Sequence, residues 1–465
     1  MRHRAVFVHL FCLASMLLGQ ENITPSLLQR QGDNHQSPAD EAVLESMINL
    51  FHQDAEVRYR SINTLAAMKN IGVAPALVEA LFFRHELPGI EKILRELTGQ
   101  SFGVAWPAWM EWLGKQNIEP HRVYPIFKSK IFGKIDPAFQ EFLSPTAART
   151  IRLDEVVWGG VRKDGIPALD NPSMIPAAAA RYLDEQDEIF GVGVNGIYHA
   201  YPLRIMNWHE MLNAVIGGTP VSLSYCTLCG AAVLYETTVE GVAYDFGSSG
   251  LLYRSNKLMY DRRTNSLWSS LHGEPVIGQM VGRGIKLKRL YVVRTTWGEW
   301  RRLHPTTLVL DKETGFQRNY AEGAAYAEYF ASDETMFPVA WRDKRLKAKD
   351  WIYGIIIGGT SKAYPLRALR NMPIAHDRVA NEEIVLISDA KRLSARAYET
   401  KGHRFVAKKE NGNLIDNGDD EWLIEEEKLV RIADHKELFR LPGHLAYWFG
   451  WYAFFPSTEV YEPGK

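Results

Sequence analysis

The feature that most constrains this chain is a pattern that occurs twice. "GVGVNGIYHAYPLR" at 191–204 returns as "GIIIGGTSKAYPLR" at 354–367, an offset of 163 residues. At the same offset "VSLSYCTLCGAAVLYE" lies on "IVLISDAKRLSARAYE". Asp261 and Trp268 of "YDRRTNSLW" resemble Asp416 and Trp422 of "IDNGDDEW", and "WRRLHPTTLVL" shares W-x4-P-[ST]-T with "WYAFFPSTEVY". Short β-like runs broken by Gly and Pro fill both stretches. The expectation is one β-rich unit of about 110 residues present twice, with faces that can pack on each other. The first copy falls in 151–353 and the second in 354–465. With 13 Trp and 20 Tyr, many of them in these runs, the shared core is expected to be rich in aromatic rings.

Residues 39–117 have a different period. "DEAVLESMINLFHQ", "AEVRYRSINTLAAMKNIG", "APALVEALFFRHE" and "LPGIEKILRELTG" place apolar residues at helical spacing. Asp54 reads as an N-cap and Gly72 as the residue that closes the second helix. The pairing of these helices resembles a HEAT-type repeat, which buries its face by stacking on neighbours. "WPAWMEWLGKQ" reads as a closing amphipathic helix anchored by Trp106, Trp109 and Trp112. Residues 118–150 read as a linker, and "SMIPAAAARYLDEQD" as one helix. The fold class is therefore α+β and multidomain: a small all-α, HEAT-like domain, then a β-rich domain of two internal repeats. The helices would serve either as a cap on that domain or as a surface for a protein partner.

The first residues read as an address. Arg2 and Arg4 precede an apolar run, Ala5 to Leu18, and small and polar residues follow at Gly19 and Gln20. That is the layout of a signal peptide over 1–20, followed by a polar, flexible leader over 21–38. The expected location is secreted or periplasmic. Asn22 stands in a glycosylation sequon by pattern alone. No apolar run in the mature chain is long enough to span a bilayer. A net charge of −1 gives no electrostatic reason to expect nucleic acid.

Removal of the signal takes Cys12 with it and leaves Cys226 and Cys229, spaced C-x-x-C, in an oxidising compartment. The runs on either side alternate as strands do, so the pair sits in a tight connection between strands, with Gly230 supplying positive φ. Three readings stand. A metal knuckle would use both thiolates, with His209 as a neutral ligand and Met259 and Asp261 as further candidates. Such a set suits copper or zinc. His272 and His304 are weaker candidates. A redox dithiol would use one sulfur to attack and the other to resolve. A structural disulfide would close a short loop, worth roughly 2 kcal/mol by loop entropy. The second copy has Asp389 and Arg392 at these two positions, so the unit does not need the thiols in order to fold. It also has His376 and Asp377 near the place of His209, which favours an architectural part for that histidine.

Other motifs carry less. "FGSSGLLYR" and "VGRGIK" read as turns, and no nucleotide-binding loop or hydrolase pattern appears. Asp154, Glu155, Asp164 and Asp170 read as solvated turn carboxylates rather than an acid–base pair.

Five segments in order resemble one bacterial family, known as domain of unknown function 3179. They are "LDEVVWGGVRKDGIPALDNP", "AYPLRIMNWHEMLNAVIGGTPVSLSYCTLCGAAVLYE", "GLLYRSNKLMYDRRTNSLWSSLHGEPVIG", "TTWGEWRRLHPTTLVL" and "LPGHLAYWFGWYAFFPSTEVY". The resemblance covers about 150–462. The family's C-P-L-C-G knuckle matches at Cys226, Cys229 and Gly230, with Thr227 in place of the proline. Its His-Glu pair matches at His209 and Glu210. The resemblance implies an exported protein with a β-rich domain and names no reaction. The helical part lies outside it.

Overall fold

The computed structural model describes residues 37–84, 89–389, 391 and 393–463. The expected signal peptide, Cys12, Asn22, Arg392 and nearly all of the expected leader lie outside them. Among the described residues no helix is long and apolar enough to cross a membrane.

Helices occupy 38–142, and strands dominate from residue 156 onwards. The first helix, Pro38–Asn49, opens on a capping box in which Ser37 and Asp40 satisfy each other's backbone N–H groups. The second, Ala55–Ala67, is capped by Asp54 as expected. It stops before Gly72, because Lys69 already takes positive φ (50°) and Asn70 turns its side chain onto the Gly72 N–H. The helix Trp106–Leu113 buries Trp106 and Trp109.

The expected linker is the main correction in this region. Residues 124–142 form two helices, Tyr124–Ile135 and Pro137–Phe142. Pro125 and Pro137 read as breakers by residue type, but each sits in a first turn, where the missing N–H costs nothing. Lys128, which interrupts the apolar stripe, is 0 % exposed. It donates to Glu79 at 2.6 Å and also to the Val156 carbonyl, at the edge of the β-rich part. One continuous apolar core runs from Val43 and Leu77 through Phe127 to Met259, Cys229 and Trp451. The helices are thus a cap built into the β-rich region; the likeness to HEAT repeats is loose.

The duplication is visible strand by strand. In the first copy Glu188–Val194 pairs with Ile197–Pro202 and Val292–Thr296, and Leu308–Leu310 joins Ile197–Pro202 in parallel. In the second, Trp351–Ile357 pairs with Thr360–Pro365 and Gly443–Tyr447, and Glu459–Val460 joins in parallel. Gly191 and Gly354 sit at equivalent places for the same reason. A Cβ on either would lie 2.4 or 2.3 Å from a tryptophan ring, Trp300 or Trp451. Each indole N–H then donates to a threonine hydroxyl, Trp300 to Thr307 at 2.9 Å and Trp451 to Thr458 at 3.0 Å. Asp261 and Asp416 likewise accept the indole N–H groups of Trp268 and Trp422, at 2.9 and 3.1 Å.

Two further expectations fail locally. "SMIPAAAARYLDEQD" is a short strand, Met174–Pro176, followed by a single tight turn, Ala177–Ala179. Pro176 biases the residue before it towards extended backbone, and the strand finds its partner in Leu308–Leu310. "FGSSGLLY" is a fully buried strand, Phe246–Tyr253, rather than a turn. Its glycines serve close packing: at Gly250 (φ 82°) a Cβ would lie 2.4 Å from the Val161 carbonyl oxygen. The turn comes afterwards, at Arg254 and Ser255.

Candidate functional site

Cys226 ends the strand Thr219–Cys226, and Ala231–Glu236 returns antiparallel beside it. Cys229 and Gly230 lie in the connecting turn. Gly230 has φ 63°, as the sequence predicted, and a Cβ there would come 2.6 Å from the ring of Trp351. The second copy therefore closes directly on the turn, and the Tyr447 N–H donates to the Cys229 carbonyl at 2.7 Å. Gly450 backs onto the Cys229 side chain, where a Cβ would lie 2.8 Å from its Cβ.

Both cysteines are free and buried, 3.5 Å apart. Their surroundings differ. The Cys229 thiol can donate to the Ser255 carbonyl at 3.3 Å, and Asn256 Nδ2 donates to its sulfur at 3.4 Å. Asn256 is held in that orientation by Ser270, whose hydroxyl donates to Oδ1 at 2.6 Å. Burial pushes the Cys229 thiol well up, and the neighbouring Cys226 sulfur pushes it further. Burial also opposes ionisation of Cys226. The Glu210 carboxylate opposes it too, but the Cys229 thiol and the backbone N–H groups of Lys257 and Cys229 outweigh both, and the net direction is down.

Two buried charges complete the site. Lys257, 4 % exposed, lies on the strand Asn256–Asp261 and donates to the Glu210 carbonyl at 2.5 Å. Its Nζ is 3.9 Å from the Glu210 carboxylate. Burial lowers its pKa to about 8, against the pull of Glu210 and of the Cys226 sulfur. Glu210 follows the helix Leu203–His209 in a left-handed conformation, φ 56°. Its carboxylate accepts from Thr227, inside the C-x-x-C motif, at 2.6 Å, and from Tyr326 at 3.3 Å. Burial raises its pKa, against Lys257, Thr227 and Tyr326.

The expected ligand set does not gather round this pair. His209 is 0 % exposed, and its Nδ1 meets the Pro167 carbonyl at 2.9 Å. A carbonyl only accepts, so Nδ1 carries the proton and Nε2 accepts from Tyr320 at 2.6 Å. Both ring nitrogens are thereby engaged. Asp261 accepts from the Arg263 and Thr264 N–H groups and from Trp268; it holds a turn, as Asp416 does. Met259 is buried in the ladder between Ser248 and Trp268. His272 packs against Phe454 and Phe455, and His304 stacks on Tyr198. His376 accepts from the Phe405 N–H at 3.0 Å, and Asp377 holds Lys362 and Tyr364. Among the described residues no group of three or more His, Cys, Asp or Glu side chains is placed to hold a metal ion. A closed zinc site needs four ligands, and this donor set stops at two sulfurs.

One of the two acidic pairs differs from expectation. Asp154 and Glu155 are buried, not solvated, because Arg152 and Arg254 pair with them. Asp164 accepts from Tyr260, and Asp170 pairs with Arg262. Sequence reasoning missed Lys257, Asn256, Tyr326 and Tyr329. Only Glu210 carried a signal, through the His-Glu pair of the resembling family.

The profile of one family, described as protein of unknown function (DUF3179), matches residues 163–458. The chain belongs to this family. The DUF3179 match contains nearly all of both copies and the whole dithiol site, and the helical cap precedes it. No curated protein and no solved structure matches the chain.

Proposed function

We propose that this DUF3179 protein is a redox protein whose working group is the Cys226–Cys229 dithiol, acting by thiol–disulfide exchange. The observation that carries this reading is the asymmetry of the pair. Cys226 accepts from the Cys229 thiol and from two backbone N–H groups, which outweigh burial and the Glu210 carboxylate, whereas burial and the neighbouring Cys226 sulfur keep Cys229 protonated against the Asn256 N–H. That is the polarity of an attacking thiolate and a resolving thiol.

In the first step the Cys226 thiolate attacks one sulfur of a substrate disulfide. That S–S bond breaks, a mixed disulfide forms, and the substrate's other sulfur leaves as a thiolate and takes a proton. Cys229 then loses its proton and attacks the Cys226 sulfur, and the substrate's second thiolate leaves. The substrate gains two electrons and the protein keeps a Cys226–Cys229 disulfide. An extracytoplasmic location, expected from the first twenty residues, fits such a couple.

The test is a thiol count on protein equilibrated in glutathione buffers of graded potential, with metal analysis on the same sample. A reversible two-electron transition, absent from Cys226→Ser, supports the proposal. About one metal ion per chain, lost in Cys226→Ser/Cys229→Ser, would overturn it in favour of metal binding by the two sulfurs. A disulfide that no buffer reduces would make the pair structural.

A further inference from the structure

The dithiol is closed off: Cys226 is 2 % and Cys229 0 % exposed. Part of its covering is the segment that joins the two copies. Residues 311–336 hold a single helix, Ala327–Ala331, and only Ala325 and Tyr329 in this stretch are buried. Leu310 on one side and Phe337 and Val339 on the other are built into apolar cores; between them only Tyr329 is a buried member of one, with Tyr326, Phe330 and Met336 half-buried against it.

The middle is attached by hydrogen bonds to three successive residues at the end of the helix Leu203–His209. Trp208 Nε1 donates to the Asn319 carbonyl at 2.8 Å. His209 Nε2 accepts from Tyr320 at 2.6 Å, and Glu210 accepts from Tyr326 at 3.3 Å. A fourth attachment reaches the motif itself. Tyr329 donates to the carbonyl of Leu228, the residue before Cys229, at 2.6 Å. Lys349 clasps the same turn from behind, donating to the carbonyls of Tyr329 and Ser332 with its ammonium 3.8 Å from the Tyr329 ring centroid. Few buried apolar groups and several discrete polar attachments are the makings of a segment that opens locally without global unfolding.

We infer that residues 311–336 are a removable cover over the dithiol, and that Cys226 meets its substrate only when Tyr326 and Tyr329 release Glu210 and Leu228. The meeting with substrate rests on the redox reading; the cover does not. The run Trp208-His209-Glu210 is then a row of latch points, which gives His209 a part that its ligand reading missed. Because Glu210 also accepts from Thr227, the latch and the turn between the cysteines share one carboxylate.

The experiment is alkylation of the reduced full-length protein with iodoacetamide, followed by mass spectrometry at Cys226. It compares the wild type with Tyr326→Phe/Tyr329→Phe, with the global unfolding rate of each measured in parallel. The expected result is wild-type labelling faster than global unfolding permits, with the double variant faster again, about five-fold per hydrogen bond removed. Labelling that never exceeds the global unfolding rate would overturn the cover, as would a folded double variant that labels at the wild-type rate. Should the double variant fail to fold, the wild-type comparison decides, and Trp208→Phe removes a different attachment. Alkylation needs no redox partner, so a failed glutathione titration beside fast, latch-dependent labelling sinks the redox reading alone.

Discussion

The two copies were built on one plan and differ where the chemistry is. They share a scaffold: the Gly191–Trp300–Thr307 and Gly354–Trp451–Thr458 stacks, and the Asp261–Trp268 and Asp416–Trp422 turns. They do not share the site. At the 163-residue offset Cys226 faces Asp389, Cys229 faces Arg392, His209 faces Met372 and Glu210 faces Pro373. Counted back from the matched aspartates, Lys257 faces Gly412, a half-buried bend residue with φ 97°. The scaffold thus stands without the thiols, and the dithiol, the acid and the buried ammonium belong to one copy together.

The largest expected effect breaks the comparison outright. Cys229→Ser should accumulate a stable mixed disulfide with glutathione, seen by intact mass, and Cys226→Ser should form none. Both should keep the wild-type fold, because the second copy builds the same hairpin without cysteines. If Cys226→Ser forms the adduct instead, the assignment of roles is reversed. Next come the shared tryptophans. Trp300→Ala and Trp451→Ala should each cost about 3–5 kcal/mol in denaturant melts, from loss of a fully buried ring. A large difference between them would show that one copy leads the stability of the whole.

Lys257→Met should act on chemistry more than on fold. Its ammonium favours the Cys226 thiolate, so its loss should raise the pH midpoint of Cys226 alkylation by about one unit and slow the reaction roughly ten-fold at neutral pH. The same lysine makes a stability prediction. Its folded pKa lies near 8, below the ordinary lysine value of 10.5, so the unfolded chain binds more protons between these values. Relative to Lys257→Met, wild-type stability should therefore rise with pH from about 8 to 10.5. A flat difference across that window would show that burial does not lower the Lys257 pKa. The smallest effect is Thr227→Val, which removes one buried hydrogen bond to Glu210 and should cost about 1–3 kcal/mol.

The duplication, the C-x-x-C turn and the positive φ of Gly230 were legible because each leaves a local pattern: a repeat, a spacing, a residue type. The two helices in 124–142 were not, since proline and lysine usually end or expose a helix and here do neither. The site was half legible for a similar reason. His209 looked like a ligand by type and nearness in sequence, but its neighbour Glu210 takes the left-handed turn that aims a carboxylate at Thr227. Lys257 and Asn256 reach the cysteines from a strand of a different sheet, about thirty positions along the chain, which no local pattern announces. Tyr326 and Tyr329 reach the motif from about a hundred residues away, out of a segment with almost no regular structure.

Gly450, Trp351 and Tyr447 press on the cysteine turn from the half of the protein that carries no thiol. Natural selection acting on that half is therefore not relaxed by its lack of chemistry. A side chain at Gly450 would displace Cys229, and a different ring at Trp351 would change the space left for Gly230. Among variants of this gene, intolerance to substitution should be as strong at those three positions as at the cysteines, so that a duplicate without thiols of its own is kept as the wall of its sibling's dithiol chamber.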